Sequence, residues 1–319
     1  MRVSIVIPNW NGKKYLEGCL ESLASQSFQD FKVIVVDNAS TDNSIELIES
    51  KFPWVKTIKN TRNLGFAAAI NQGIRTSNTE YIATLNNDTQ CTREWLASLL
   101  EALDSEPDAG MAASRMLRFN GTIDSTGIEV YRSGGAYDRG AGKKNGEFPR
   151  EVFGACAGAA LYRRKMLEDI GLFDESYFAY LEDVDLAFRA RLRGWKAIYV
   201  PNAVVYHIHS ATAKTGYFKL YHILRNKLWN TWKYYPPRLI LASMIITTIQ
   251  YLNYLTRLIL KKGSPHPVEK YQLLDILKAV PPSHLHALIA LPRILRERKK
   301  IQKQKTASIE DWLLPGYKL

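Results

Sequence analysis

Short, continuous apolar runs alternate with amphipathic stretches through the first third of the chain. Val3-Ser4-Ile5-Val6-Ile7, Val33-Ile34-Val35-Val36 and Tyr81-Ile82-Ala83-Thr84-Leu85 are each bounded by polar turns. That is the pattern of strands buried on both faces. Strands are expected at about 2–8, 31–37, 55–59, 80–85 and 110–117. Helical periodicity falls at about 12–26, 41–51, 65–76 and 92–104. The alternation predicts an α/β domain, a mainly parallel sheet with helices on both faces. Ligands of such sheets bind beyond the carboxyl ends of the strands, and Asn9, Asp37 and Asp88 all fall there.

The pattern changes after 117. Residues 118–150 are rich in Gly, Ser and charge, as in Ser133-Gly134-Gly135 and Gly140-Ala141-Gly142, and read as a long mobile loop of the lid or substrate-binding kind. The small-residue run Gly154 to Ala160 follows, where backbone can approach a ligand closely. Helices are expected near 162–169 and 183–193, with strand-like segments at 197–200 and 203–208. From about 217 the pattern is helical. Leu239 to Thr256 is uncharged but holds Ser243, Thr247, Thr248, Gln250 and Asn253, so it reads as an interfacial or helix-packing segment rather than a span.

Charge separates the two regions. Residues 1–213 carry 24 Lys and Arg against 26 Asp and Glu, net −2, whereas 214–319 carry 19 against 5, net +14. The C-terminal third therefore suits an anionic surface, and the run from Arg293 to Lys305 suits lipid headgroups. A nucleic-acid surface shares the charge but would call for aromatic interleaving or a recognised module, and neither is present. Cys19, Cys91 and Cys156 are odd in number and widely spaced, which points to a reducing compartment; Cys19 lies on an apolar helix face and is expected to pack. No basic and apolar leader precedes the first strand, so a cytoplasmic location is expected, peripheral on the inner face of the cell membrane.

Three constellations carry chemistry. Asp37 ends an apolar strand, where a carboxylate can accept hydrogen bonds from a nucleobase or ribose; turn and cap chemistry is the competing reading for Asn38 to Asp42. The helix opening at Gly65 would turn free amides and its positive dipole end toward a phosphate, with Arg62 and Asn63 close by, although a capped, closely packed helix gives the same sequence. Asn86 and Asp88 supply hard oxygen donors suited to Mg²⁺ or Mn²⁺ against a diphosphate, and His207, on the same face of a short strand as His209, adds a nitrogen donor. Glu182-Asp183, at a helix start behind Phe178-Ala179-Tyr180-Leu181, can supply a general base; Asp185 is read as structural.

These pieces, in order, resemble the inverting glycosyltransferase family 2. The motifs are Val6-Ile7-Pro8-Asn9-Trp10-Asn11-Gly12, Asp37-Asn38-Ala39-Ser40-Thr41-Asp42, Asn63-Leu64-Gly65-Phe66-Ala67, Leu85-Asn86-Asn87-Asp88-Thr89, Phe173-Asp174-Glu175 and Glu182-Asp183-Val184-Asp185-Leu186. They cover roughly residues 1–212. The resemblance implies a GT-A fold and a nucleotide-sugar donor held by Pro8, Asn9, Asp37, Arg62, Asn63, Gly65, Asn86 and Asn87. It implies a divalent cation (Mn²⁺ or Mg²⁺) on Asp88, Asn86 and His207, with Asp183 as general base and Glu182 beside it at the acceptor pocket. Asn86 replaces the usual first Asp of the metal motif, a form similar to bacterial rhamnosyltransferases of surface-polysaccharide assembly.

The expected organisation is a catalytic domain at 1–213, with a nucleotide-sugar half at about 1–117 and an acceptor half at about 151–213, followed by a basic helical, membrane-associating extension at 214–319. The expected activity is metal-dependent transfer of a sugar, rhamnose from dTDP-rhamnose in the first instance, to a saccharide or lipid-linked saccharide. A UDP-hexose donor, or a catalytically silent sugar-nucleotide-binding subunit, are the alternatives. No nucleic-acid partner is expected, and oligomerisation is left open.

Overall fold

The computed structural model describes residues 1–208, 216–259 and 273–315. His209 lies outside them. The first strands and helices form where the apolar runs place them: β1 (Val3–Asn9), α1 (Lys13–Ala24), β2 (Phe31–Asp37), α2 (Ser44–Lys51), β3 (Lys56–Lys59), α3 (Phe66–Arg75) and β4 (Tyr81–Leu85). Then come β5 (Thr89–Cys91), α4 (Trp95–Ser105), β6 (Ala109–Arg118), β7 (Ile123–Ser125), β8 (Ile128–Tyr131), β9 (Ala136–Asp138), β10 (Glu151–Val152), β11 (Ala159–Arg163), α5 (Arg164–Ile170), α6 (Glu182–Leu192) and β12 (Lys196–His207). The C-terminal elements are α7 (Tyr217–Tyr234), α8 (Pro237–Ile259), α9 (Leu273–Ile289), α10 (Leu291–Gln304) and β13 (Leu313–Leu314).

The main sheet runs β10-β12-β6-β11-β4-β1-β2-β3, with β5 against β12 and β7 against β6. β3, β2, β1 and β4 are parallel, and β6 pairs parallel with β12. β11 runs antiparallel between β4 and β6. Period-2 alternation assigns the two faces of β1. Ile5 and Ile7 face one core with Leu16, Leu20 and Leu23 of α1 and Trp95 and Leu99 of α4. Val6 faces α3, so close to Gly73 that a Cβ there would meet the Val6 side chain. Cys19 is fully buried in the first core, where its packing was expected. The fold class read from the sequence, an α/β sheet covered by helices with a helical C-terminal region, is the one observed.

One reading is corrected. Residues 118–150 are not one long loop: β7, β8 and β9 lie within them, and Ile123, Ile128 and Val130 are buried. Strands of three or four residues are too short to show a period of two, and these depend on pairing partners distant in sequence. The small-residue run also ends inside a strand, because Ala159, Ala160 and Leu161 fill the narrow space between β4 and β6.

The chain divides into two compact units, residues 1–128 with 138–212, and residues 129–137 with 213–319. In the second unit α7 packs against α8, α9 and α10, and β13 pairs with β8. Tyr235 donates its hydroxyl to the Tyr131 carbonyl at 2.7 Å. No helix among the described residues is long and apolar enough to cross a membrane.

Candidate active site

Parallel pairing puts the ends of β1 and β2 level, with Asn9 directly beside Asp37. Both are buried. Asn9 donates from Nδ2 to Asp37 Oδ1 at 2.8 Å, and Asn87 donates from Nδ2 to Asn9 Oδ1 at 2.7 Å. Asp37 also accepts the Ser40 amide (2.9 Å) and the Ser40 hydroxyl (2.5 Å), which pins the turn after β2. A Cβ on Gly12 would sit 1.9 Å from Asn87 Nδ2, so only glycine lets α1 begin against this network.

The turn between β4 and β5 splits its three polar residues between two sides. Asn87 points to Asn9, while Asn86 and Asp88 face His207 at the end of β12. Asp88 Oδ1 lies 3.2 Å from His207 Nε2, and Asn86 Nδ2 lies 3.4 Å from the same nitrogen. The other ring nitrogen, Nδ1, is 2.7 Å from Asp124 Oδ2, and Arg118 Nε donates to Asp124 Oδ1 at 2.9 Å. Burial alone would lower the His207 pKa. The hydrogen bonds and charges of Asp124 and Asp88 outweigh it and push the imidazole up to about 9.

Asp124 was not singled out by sequence, since it lay in a segment read as loop. The alternation Ile123-Asp124-Ser125 is the only signal it carries, and it is three residues long. With Nδ1 engaged by a carboxylate, Nε2 is turned toward Asp88, the arrangement by which proteins orient a metal-binding histidine. A carboxylate, an imidazole and a carboxamide converging here are a donor set that suits Mn²⁺ or Mg²⁺. Among the described residues, no three His, Cys, Asp or Glu side chains surround one cation position.

The run before β11 joins this cluster to α6. Asn86 donates its amide to the Gly158 carbonyl at 2.8 Å, and the neighbouring Ala157 amide donates to Asp183 Oδ2 at 3.1 Å. The Val184 amide donates to Asp183 Oδ1 at 2.8 Å. Burial raises the Asp183 carboxyl, the two amides oppose it, and the nearby Asp138 charge adds to it; the pKa is pushed up to about 6. Glu182 turns inward. It is buried, and among the described residues its Oε2 has no hydrogen-bond partner. Burial first, and the charge of Asp183 second, raise its carboxyl well above the usual range. Asp185 is bound to Tyr177 and Arg189, the structural place expected of it.

The free amides expected at the start of α3 are not free. The Phe66 amide donates to the Phe178 carbonyl at 2.6 Å and the Ala67 amide at 3.4 Å, so the α6-proximal loop caps this helix. Asn63 holds the Gly65 amide at 2.9 Å, and Gly65 (φ +88°) leaves no room for a side chain against Phe178. Arg62 is exposed and Pro8 half-buried. Asp37, Asp88 and Asp183 thus stand on one rim, linked through Asn9, Asn87, Asn86 and the 157–158 backbone.

The Glycosyl transferase family 2 model matches residues 4–171. The chain is 27% identical over 226 residues to an uncharacterised protein, y4gI, of Sinorhizobium fredii, covering 66% of this chain but only 25% of that protein's length. It is 26% identical over 229 residues to the N-acetylglucosaminyl-diphospho-decaprenol L-rhamnosyltransferase of Mycobacterium tuberculosis, covering 64% of this chain and 75% of that one. Among solved structures, the Pyrobaculum calidifontis mannosyltransferase PcManGT, in complex with GDP-Man and Mn²⁺, has the same fold at a TM-score of 0.53. It shares 18% identity over 96% of this chain and 76% of its own. The family model spans more than half of the residues, including those that build the rim from Asn9 to Asp88, and the chain belongs to glycosyl transferase family 2.

Proposed function

We propose that this chain moves a sugar from a nucleoside diphosphate donor to an acceptor hydroxyl, with inversion at the anomeric carbon. The observation that carries the reading is the adjacency at 157–158. One amide there holds Asp183, and the next carbonyl holds the Asn86-x-Asp88 turn. A base and a diphosphate-binding turn so joined can act on opposite sides of one sugar.

Asp37 and Asn9 would receive the nucleoside, with Ser40 fixing the carboxylate's orientation. Asp88, His207 and Asn86 would hold a divalent cation, and Asp124 would keep His207 turned toward it. When bound, such a cation neutralises the charge of the departing diphosphate. Asp183 would take the proton from the acceptor hydroxyl as that oxygen attacks. A carboxyl with a pKa of about 6 is ionised at neutral pH, yet a better proton acceptor than an ordinary aspartate. Glu182, buried and turned inward with its carboxyl raised well above the usual range, would line the pocket next to Asp183. One base and one displacement suffice for inversion, through an oxocarbenium-like transition state.

For the sugar we infer rhamnose, and for the acceptor a lipid-linked saccharide, in line with the name of the M. tuberculosis relative; dTDP as its carrier is what the family resemblance implies. The test is a panel of dTDP- and UDP-sugars with Mn²⁺ or Mg²⁺, scored for nucleoside diphosphate release. Release that needs metal and disappears in Asp183→Ala, with nucleotide binding retained, supports the reading. Binding without release by the unaltered chain would make it a silent sugar-nucleotide-binding subunit.

A further inference from the structure

The helical unit is built with its polarity inverted. On α9 the residues turned inward are small: Ala279, Ser283 and Ala287 are all fully buried. The large apolar residues face out. Leu277 is 61% exposed, Leu285 57%, Leu288 56% and Ile289 67%. α8 follows the same rule, with Ser243 buried and Leu241, Met244, Ile245 and Ile249 exposed. α7, on which both helices pack, buries a polar stripe instead, including Asn226, Asn230 and Lys233. A water-facing helix pair would be arranged the other way round, and exposed apolar surface on this scale marks an interaction face.

We propose that the outward faces of α8 and α9 seat in the interfacial layer of an anionic lipid bilayer. Three observations select that occupant. The residues from 214 onward carry a net charge of +14, which a second copy of the chain would meet with like charge and an anionic leaflet with opposite charge. α10, which follows α9 in the chain and packs on α7, carries exposed cations, Arg296, Lys299, Lys300 and Lys303. No described helix is long and apolar enough to cross the membrane, so the unit lies in the interface rather than through it. The inference needs neither donor nor metal and stands apart from the proposed transfer reaction.

The test is co-sedimentation of the full chain with extruded vesicles of phosphatidylglycerol and phosphatidylcholine in equal parts, and with phosphatidylcholine alone. Tight binding to the mixed vesicles and weak binding to the neutral ones is expected. Each basic residue near such a surface is worth roughly fivefold in partition, so Lys299→Ala, Lys300→Ala and Lys303→Ala together should cost on the order of a hundredfold. Leu285→Glu with Leu288→Glu should cost at least as much, because it removes apolar contact and adds repulsion. Hydrogen exchange on the unaltered chain guards against a folding artefact: vesicles should slow exchange in 237–249 and 274–289. No vesicle binding, or binding indifferent to Leu285→Glu and Leu288→Glu, overturns the proposal. So does a dimer in light scattering that those two substitutions dissociate, since a second copy would then be the occupant.

Discussion

Replacing Asp183 with Asn should make the enzyme inactive and more stable at once. Raising a carboxyl from its ordinary 3.8 to about 6 means the folded chain holds the ionised form about 3 kcal/mol less favourably than the unfolded chain does. Asparagine removes that burden. It also loses one of two accepted hydrogen bonds, from Ala157 or Val184, at a cost of about 1 kcal/mol. The net gain is about 2 kcal/mol, or roughly 4–8 °C in Tm for a unit of this size. The sign depends on pH. The native state binds the proton more tightly, so the unaltered chain loses stability as pH rises from about 4 through 6. The advantage of Asp183→Asn is therefore full above about pH 7 and gone below about pH 4. Urea unfolding at pH 7.5 and pH 4 reads this directly, alongside transfer activity, which loss of a general base lowers by about 10²–10⁴-fold. Equal destabilisation at both pH values, or activity within a few-fold of the unaltered chain, would refute the reasoning.

Asp124→Asn should weaken Mn²⁺ binding by about 10–100-fold without a matching loss of fold, because Nε2 of His207 is then no longer held toward Asp88; Mn²⁺ electron paramagnetic resonance measures it, and an unchanged affinity removes Asp124 from the site. Asp88→Ala should abolish metal-stimulated turnover while the Asp37–Asn9 network still binds nucleotide, checked by calorimetry with nucleoside diphosphate; full turnover would reassign the cation. Gly65→Ala puts a Cβ 2.5 Å from the Phe178 carbonyl at φ +88° and should cost at least about 2 kcal/mol in urea unfolding. In the unaltered chain, kcat/KM should fall tenfold per pH unit below about 6, as Asp183 takes up a proton.

The residues legible in the sequence were those whose position follows from a local pattern. Asn9, Asp37 and Asn86 stand at the ends of apolar runs long enough to fix both strand and direction, so a common rim followed from topology alone. Residues whose role depends on long-range pairing were not legible. Asp124 reaches His207 only because β7 pairs with β6 and β6 with β12, across 83 positions in sequence. Which of the two readings of the α3 amides holds was not legible for the same reason. Gly65 signalled a helix start correctly, but the carbonyl that caps it comes from Phe178, and no local rule connects the two.

That cap also explains how the segment before Asp183 is held under strain. Phe178, Tyr180 and Leu181 all have φ near +65°, a region that costs side-chain-bearing residues about 1–3 kcal/mol each. Phe178 sits at the centre of a tight turn closed by the Ala179 amide on the Tyr177 carbonyl at 2.8 Å. An isolated chain would relax from that shape. Contacts on both sides hold it, among them the α3 amides on the Phe178 carbonyl and the Ala157 amide on Asp183. Asn38, next to Asp37, donates to the Gly65 carbonyl at 3.2 Å, so the same helix start is tied to the end of β2. The strand end at Asp37 and the helix start at Asp183 are therefore joined by one short run of backbone and hydrogen bonds, Asn38–Gly65–Phe66–Phe178–Asp183.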